Sequence, residues 1–505
     1  MIGLDGATFD LLEPWIEEGK LPNMRRVIEE SSYGRLESTI PPLSPVAWTT
    51  LVTGVNSGKH GIFDFTWVEP HTFQQKLINS RDVRSKRIWD FVEARGKRSI
   101  IINVPVTFPP EKIAGIMISG IPVPIHKPST YPEGVEEDLK RQLGLDLADM
   151  NGELLRRIDD RVVLEGIYRV TESRFKMASH LLKKDWDLFV TVFMEPDKIQ
   201  HLFWNQREEI LLPYYQRLDN LMGSLLAEME DGVYKVILSD HGMGPAKINF
   251  FLNTFLKDQG LLASRKKRGN QGFDVRNPLK GNPASGSRKT WLRNVFQFFN
   301  RRDQETDWKR TKAYFINTGQ IRGISINLKG REPQGIVSPQ EYEALRDRII
   351  SQLAHLQDGR FGPRIFDEIF RREEIYSGPF VDGSPDIVFT SHHEYVINDE
   401  FTRALVKVRK DVRGMHRSPG IFIINGPSIQ KGKKLLHPHI LDMAPTLLFL
   451  LGVPVPRSLE GKVLTEIFDP DYIGAHPVRY DDGNIDVSLS RIEIPQREAI
   501  CKGGS

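Results

Sequence analysis

The chain has 505 residues, 39% hydrophobic and 27% charged, a composition typical of a soluble globular protein. No apolar stretch approaches the ~20 residues of a membrane-spanning helix, and the first residues lack the basic and apolar regions of a signal peptide. The only cysteine, Cys501, excludes an intramolecular disulfide framework and cysteine-based metal clusters or catalysis in the core. We therefore expect a cytoplasmic protein. An upstream targeting segment is left open, because residues 1–5 are typical of the end of a strand.

Short apolar runs rich in β-branched residues alternate with stretches of helical periodicity along most of the chain. Buried strands are predicted at 98–104, 187–193, 233–239, 386–390 and 420–424. Helices are predicted at 82–95, 166–183, 211–230, 339–356 and 440–451. Strands that alternate with helices indicate an α/β fold, in which helices cover both faces of a central, mostly parallel sheet.

Residues 245–335 break this pattern and predict an inserted cap. Within them, residues 264–312 hold 14 Lys/Arg and 4 Asp/Glu, a net charge of +10, whereas the whole chain carries only +3. The mixture of basic and aromatic residues at 288–302 is typical of an interfacial helix, so contact with an anionic membrane surface or a nucleic acid is one interpretation. We favour a cap whose charges face solvent or steer an anionic substrate. The predicted division is a core at 1–244 and 336–470, a basic cap at 245–335 and a peripheral tail at 471–505.

The stretch LSDHGMG places Asp240 and His241 where an apolar run has just ended. Gly242 and Gly244 then interrupt the strand pattern. In open α/β sheets, ligands bind at the C-terminal ends of the strands, which makes this acid and imidazole candidates for a functional site. A surface loop that happens to contain Asp-His-Gly is the alternative.

Four other stretches carry candidate ligands. Asp5 follows an apolar run in IGLDG, and His416 precedes the predicted strand at 420–424. Asp197 and His201 are four residues apart in EPDKIQH, which places them on one face of a helix. Ser44 lies in a proline-flanked turn ahead of a helix-like run. Taken singly, they are better explained as a strand-end cap, a loop histidine, a surface pair and a helix N-cap.

Taken together, these residues indicate a metal centre. Three Asp and three His without Cys form a set of nitrogen and oxygen donors that suits Zn²⁺ or Mn²⁺. Six ligands suffice for two metal ions with open positions, an arrangement used for in-line phosphoryl transfer. Ser44 has no neighbouring base in the sequence, so it would need activation by a metal ion to act as a nucleophile.

The order and spacing of these motifs resemble the alkaline phosphatase superfamily, specifically its type I phosphodiesterase/nucleotide pyrophosphatase branch and its microbial predicted phosphohydrolases or phosphomutases. The motifs, which run from near residue 1 to near residue 465, are DGATFD, SPVAWTTLVTGVNSGKHGIFDF, MEPDKIQHLFW, LSDHGMG, GMHRSPGIFI and DMAPTLLFLLGVPVPRSLEGKVL. The resemblance implies an alkaline-phosphatase-like central sheet with an inserted cap. It also implies two divalent metal ions, with Zn²⁺ expected and Mn²⁺ as the alternative.

The resemblance further implies a role for each candidate. One metal ion would be held by Asp197, His201 and His416, and the other by Asp5, Ser44, Asp240 and His241. Ser44 takes the nucleophile position, so its attack on phosphorus would form a covalent intermediate that water or hydroxide then cleaves. Lys59 or Arg417 could add positive charge, although a solvated surface charge explains each of them better.

Two positions depart from the better-known diesterases of the family. Ser44 replaces a threonine nucleophile, and Phe65 replaces an asparagine that binds a phosphate oxygen. Serine is found in the phosphatase and mutase branches, so the choice between a monoester and a diester substrate stays open. In either case we expect a small phosphorylated or nucleotide-like substrate. The sulfatase branch is disfavoured because its Cys/Ser-x-Pro-x-Arg signature is missing.

The alternative functions are a phosphomutase and a non-catalytic protein that binds an anion or a membrane surface. An intact ligand set argues against the non-catalytic protein. The oligomeric state stays open.

Overall fold

The computed structural model describes residues 1–68, 75–124, 127–147, 150, 159–264, 306–315, 323–357 and 364–481. Most of the predicted basic segment, at 265–305, and the end of the predicted tail, at 482–505, lie outside the described residues. Among the helices that are described, none combines the length and the apolar character needed to cross a membrane.

Helices and strands alternate along the described parts of the chain. Helices α1 to α14 are Phe9–Glu17, Pro22–Glu29, Ser44–Thr53, Ser57–His60, Ile88–Glu93, Val135–Leu143, Asp160–Leu182, Glu195–Phe203, Leu212–Ala227, Leu252–Asp258, Pro339–Ala354, Arg372–Ile375, Met443–Leu450 and Pro470–Ala475. Strands β1 to β10 are Ile2–Leu4, Ser32–Leu36, Thr66–Val68, Gln75–Leu77, Ser99–Ile102, Gly115–Ile118, Thr130–Tyr131, Leu188–Phe193, Lys235–Leu238 and Gly242–Phe251. Strands β11 to β20 are Ala313–Tyr314, Gly323–Ile326, Phe366–Arg371, Ile387–Ser391, Tyr395–Asn398, Val406–Arg417, Gly420–Asn425, Lys433–Lys434, Val455–Pro456 and Tyr480–Asp481.

A nine-stranded sheet, in the order β18-β2-β17-β9-β1-β8-β5-β6-β7, forms the centre of the molecule. Its middle strands, from β9 to β6, run parallel to one another. The strand β17 is antiparallel to both of its neighbours, and β7 is antiparallel to β6. Every residue of β5 and β8 is buried, which is the pattern of a sheet covered on both faces. The predicted α/β fold with a mostly parallel central sheet is confirmed.

Two hydrophobic clusters cover the two faces of this sheet. One contains apolar residues of α1, α2, α7 and α9, including Phe9 and Tyr214. The other contains residues of α3, α5 and α13, including Trp48, Trp89 and Met443. Because each cluster also takes side chains from β1 or β8, the central strands contribute to both cores, as their unbroken apolar sequences predict.

The predicted elements are present, with differences at their ends and in one sheet assignment. The predicted helix at 82–95 is shortened to Ile88–Glu93, because residues 80–82 form a separate 3₁₀ turn and Arg87 is extended. The predicted strand at 386–390 forms β14, which lies outside the central sheet in the four-stranded order β11-β12-β14-β13. An apolar run predicts burial but does not specify which sheet buries it.

A third hydrophobic cluster lies beside the central sheet. It includes Phe250 and Leu256 from one side of the predicted boundary at 335, and Ile349 and Phe389 from the other. The long strands β10 and β16 pair antiparallel and connect this cluster to the edge of the central sheet where β9 ends. The packing of this cluster crosses the predicted boundary at residue 335. The division of the chain at 244, 335 and 470 stays a prediction.

Candidate active site

The carboxyl ends of three parallel strands bring most of the candidate ligands to one edge of the sheet. Asp5 follows β1, and the pair Asp240 and His241 follows β9. Strand β8 leads directly into α8, which carries Asp197 and His201. Since β1 pairs in parallel with both β8 and β9, these three strand ends are neighbours.

Ser44 and His416 reach the same place from other elements. Ser44 is the first residue of α3, and Leu43 occupies the N-cap position, so Ser44 is not the helix N-cap. His416 lies on β16 opposite Met243 of β10, which places it over the edge where Asp240 and His241 follow β9. The structure therefore brings all seven predicted site residues together.

Asp197, His201 and His416 form the first group. Asp197 Oδ1 lies 3.1 Å from His416 Nε2 and 3.3 Å from His201 Nε2. The two imidazole Nε2 atoms are 2.8 Å apart. His201 Nδ1 donates to the carbonyl oxygen of Gly414 at 2.8 Å, and His416 Nδ1 donates to that of Pro42 at 3.2 Å. A neutral ring with its proton on Nδ1 presents a lone pair at Nε2. The Nε2 lone pairs of His201 and His416 therefore face each other and the Asp197 carboxylate, and all three groups are acceptors.

Ser44, His241, Asp240 and Asp5 form the second group. His241 Nε2 lies 3.1 Å from Ser44 Oγ, 3.4 Å from Asp240 Oδ2 and 3.6 Å from Asp5 Oδ1. The ring of His241 stacks on that of His416 with centroids 3.8 Å apart, so the two groups are contiguous. Asp197 is close to both, because Asp5, Asp197 and His241 also offer ligand atoms within 4.8 Å of one another.

Burial makes this cluster of charges costly. It raises the pKa of Asp5 well above the usual value, and the carboxylates of Asp240 and Asp197 raise it further. Burial and Asp197 have the same effect on the pKa of Asp240. Burial, with a contribution from His241, lowers the pKa of His416 to about 3.

The donor set fits divalent metal ions. Asp5 Oδ1 and Asp240 Oδ2 are buried and accept no hydrogen bond from any residue in the described ranges. Buried carboxylate oxygens without donors are unfavourable unless a cation compensates them, and the facing Nε2 lone pairs have the same need. Because the donors are carboxylates and imidazoles without sulfur, they match Zn²⁺ or Mn²⁺.

Gly6 allows the two sides of the centre to approach. It adopts φ +68°, and a Cβ at this position would lie 3.2 Å from the Cα of Asp197. Its backbone N–H donates to Asp240 Oδ1 at 3.4 Å. A side chain here would force Asp5 and Asp197 apart, so the glycine of the motif DGATFD is needed for close packing.

The two cations considered from the sequence have other partners. Lys59 Nζ pairs with Glu460 Oε1 at 2.9 Å. The guanidinium of Arg417 donates to the carbonyl oxygens of His393 and His416 at 2.6 and 2.8 Å. Both contacts support the interpretation of these residues as structural or surface charges.

Sequence reasoning did not single out three supporting residues. Trp48 Nε1 donates to Asp5 Oδ2 at 2.8 Å, and Arg174 Nε donates to Glu195 Oε1 at 2.8 Å within the buried interior. Trp48 lies four residues after Ser44 and Glu195 two residues before Asp197, so proximity to the candidate ligands was the available signal. Arg174 has no such signal, because it lies on a different helix.

The comparison with known families agrees with this geometry. The model of the type I phosphodiesterase / nucleotide pyrophosphatase family matches residues 1–419. The chain belongs to this family. It is therefore an enzyme of the phosphoric ester hydrolase class, and the resemblance to the alkaline phosphatase superfamily found in the sequence is confirmed. No curated protein sequence matches this phosphodiesterase family member.

Solved structures share the fold of this family member at low sequence identity. Phosphonoacetate hydrolase from Sinorhizobium meliloti 1021, in complex with phosphonoformate, is 15% identical with a TM-score of 0.54, over 90% of this chain and 94% of that chain. Murine ectonucleotide pyrophosphatase/phosphodiesterase 5 is 13% identical with a TM-score of 0.53, over 93% and 99%. The alkaline phosphatase PafA is 12% identical with a TM-score of 0.56, over 93% and 98%.

Proposed function

We propose that this phosphodiesterase family member is a two-metal phosphohydrolase that cleaves a phosphate ester through a covalent Ser44 intermediate. The observation that carries the proposal is the convergence of Ser44 with three Asp and three His, of which only Asp197 and His201 are partly exposed. One ion would be held by Asp197, His201 and His416, and the other by Asp5, Ser44, Asp240 and His241, with Asp197 next to both. When bound, the ions would lower the pKa of the serine hydroxyl and stabilise the negative charge of the phosphoryl oxygens.

The residues of the chain orient the nucleophile. Ser44 opens the ten-residue helix α3, where the helix dipole favours negative charge on its oxygen. The contact of 3.1 Å between Ser44 Oγ and His241 Nε2 gives the hydroxyl a partner that is distant along the chain. His241 Nδ1 donates to the carbonyl of Gly242 at 2.9 Å, which fixes the direction of the ring.

The proposed substrate is a small phosphorylated or nucleotide-like molecule. Murine ectonucleotide pyrophosphatase/phosphodiesterase 5 has been solved with AMP, and phosphonoacetate hydrolase with phosphonoacetate, so related folds accept both kinds of anion. Ser44 and Phe65 occupy positions where the better-known diesterases carry threonine and asparagine. We therefore propose parallel assays on an aryl phosphate monoester, an aryl phosphate diester and a dinucleotide, together with metal analysis that expects Zn²⁺ and accepts Mn²⁺.

Ser44→Ala should lower kcat by roughly 10³-fold or more, because the nucleophile is lost while little volume is removed. Brief incubation of the wild-type enzyme with substrate, followed by acid quenching and peptide mass spectrometry, should find phosphate or a phosphodiester on Ser44. The type of label reports whether the substrate is a monoester or a diester. Ser31→Ala is the matched control: Ser31 is also buried, and its hydroxyl donates to the Val27 carbonyl outside the site. Full activity in Ser44→Ala would contradict the covalent mechanism.

A further inference from the structure

We propose that Trp48 is a positioning residue, which fixes the Asp5 carboxylate for metal binding and couples it to the helix that carries Ser44. The proposal rests on the function proposed above. Trp48 and Asp5 are both completely buried, and the indole Nε1 donates to Asp5 Oδ2 at 2.8 Å. The other oxygen, Oδ1, faces the centre 3.6 Å from His241 Nε2 and accepts no hydrogen bond from the described residues. The indole thus holds one oxygen and leaves the other directed at the metal site.

One helical turn connects this donor to the nucleophile. Trp48 follows Ser44 by four residues within α3, so the two side chains project from the same face of the helix. Any rotation or shift of α3 would move the Ser44 hydroxyl and the Trp48 N–H together. The hydrogen bond to Asp5 therefore fixes the position of the nucleophile relative to the ligand carboxylate.

The indole itself has little freedom to move. A Cβ at Gly3 would lie 2.3 Å from the Cη2 atom of Trp48, so the ring packs directly on the backbone of β1, two residues before Asp5. This close approach orients the ring, and the ring orients the carboxylate at the end of the same strand. Partners that orient the ligands of a metal site typically change metal affinity by about 10- to 100-fold when they are removed.

A second tryptophan provides a matched control. Trp89 is also completely buried and belongs to the same hydrophobic cluster as Trp48. Its indole Nε1 donates to Glu111 Oε2 at 3.0 Å, and Glu111 pairs with Arg87 rather than with a residue of the centre. Trp48→Phe and Trp89→Phe therefore remove the same atoms, and each removes a hydrogen bond to a carboxylate, but only one of these carboxylates is a candidate ligand.

The test is a zinc titration of the metal-free full-length chain in competition with a chromophoric chelator. We expect two sites in the wild-type protein, and in Trp48→Phe we expect one of them to be weakened by about 10- to 100-fold while the other is unchanged. Raising the zinc concentration should restore turnover in Trp48→Phe, which would not occur if the fold were lost. Trp89→Phe should bind two ions as the wild type does, even if its melting temperature falls as much as that of Trp48→Phe.

Other outcomes would overturn the proposal. Equal affinities in Trp48→Phe and the wild type, or equal losses in both tryptophan variants, would show that Trp48 only fills space. If Trp48→Phe does not fold, benzothienylalanine at position 48 replaces the N–H by sulfur in a ring of the same shape, and unchanged zinc affinity there would also overturn it. A wild-type chain that binds no zinc or manganese would contradict the proposed function as well, whereas normal wild-type metal binding with an unaffected variant would contradict only the role of Trp48.

Discussion

Each histidine of the centre is held by its second ring nitrogen. His201, His241 and His416 donate their Nδ1–H groups to the carbonyl oxygens of Gly414, Gly242 and Pro42. Because a carbonyl only accepts, these contacts place the proton on Nδ1 and leave Nε2 available to a metal ion. The backbone therefore orients the three rings as candidate ligands.

His416→Ala should weaken one metal site and slow hydrolysis of the covalent intermediate. The substitution removes a buried Nε2 that lies 3.1 Å from Asp197 Oδ1, so that carboxylate loses one of its neighbours. We expect loss of close to one metal equivalent in dialysed protein and accumulation of labelled Ser44 after rapid acid quenching. His355→Ala is the control, because the His355 side chain is exposed and its Nδ1 donates only to the carbonyl of Ser351 in its own helix. Unchanged metal content and turnover in His416→Ala would remove this residue from the ligand set.

At the scale of elements, buried polar contacts anchor α8 to its neighbours. Its first residue, Glu195, forms a completely buried ion pair with Arg174 of α7 at 2.8 Å. Gln200 Nε2 donates to the carbonyl oxygens of Gly6 and Pro196 at 2.8 and 2.9 Å, which ties the helix to the turn after β1. These contacts fix the helix face from which Asp197 and His201 project.

Glu195→Gln should lower the free energy of unfolding by about 3–5 kcal/mol, because it leaves the guanidinium of Arg174 buried without its charged partner. The double variant Arg174→Met with Glu195→Leu should recover most of that loss, since neither charge is then buried. Glu172→Gln breaks the exposed pair with Arg217 and should cost no more than about 1 kcal/mol. Urea unfolding of the three variants measures these differences. A loss in Glu195→Gln no larger than in Glu172→Gln would show that the buried pair does not anchor α8.

At the scale of the whole molecule, the edge of the central sheet is linked to a separate hydrophobic cluster by β10 and β16. His416 lies on β16, so packing in that cluster determines the position of a candidate ligand. The basic residues 265–305 are inserted into this part of the chain, and their flanking residues Ser264 and Thr306 form an antiparallel bridge. Because Ser264 and Thr306 are adjacent, we expect that a short linker could join them.

Replacing residues 265–305 with a short Gly-Ser linker should leave metal content unchanged, because none of the seven site residues lies within them. The segment holds 11 Lys/Arg and 3 Asp/Glu, so its removal takes away a net charge of +8. If these charges steer an anionic substrate, kcat/KM of the linker variant at low ionic strength should be lower than that of the wild type. The kcat/KM of the variant should also depend less on salt concentration. Stopped-flow or steady-state assays across a salt series measure the effect. Joint loss of metal and of cooperative unfolding would show instead that the segment is part of the folded core.

Much of the site could be predicted from the sequence because its residues carry local signals. Asp5 and Asp240 follow apolar strands, and Asp197 and His201 have helical spacing, so their chemistry and their edge of the sheet follow from short segments. The grouping of these residues followed only from the family's motif order, because local signals do not specify which distant residues meet. Ser44 and His241 are 197 positions apart, and their contact depends on the entry of α3 beside the end of β9. Asp197 lies next to both groups, and this likewise depends on the strand order β9-β1-β8 in the central sheet.

The sequence by itself therefore determined the α/β class, the family, the candidate donor set, and five helices and five strands with ends up to six residues from those observed. These properties are encoded in periodicity, strand-end residues and motif order, all of which are local or linear in the chain. Only the tertiary structure decided the ring orientations of the histidines, the contact between Ser44 and His241, the hydrogen bond from Trp48 to Asp5 and the sheet to which β14 belongs. Each of these depends on strand order, register and packing between distant segments, which no single segment specifies.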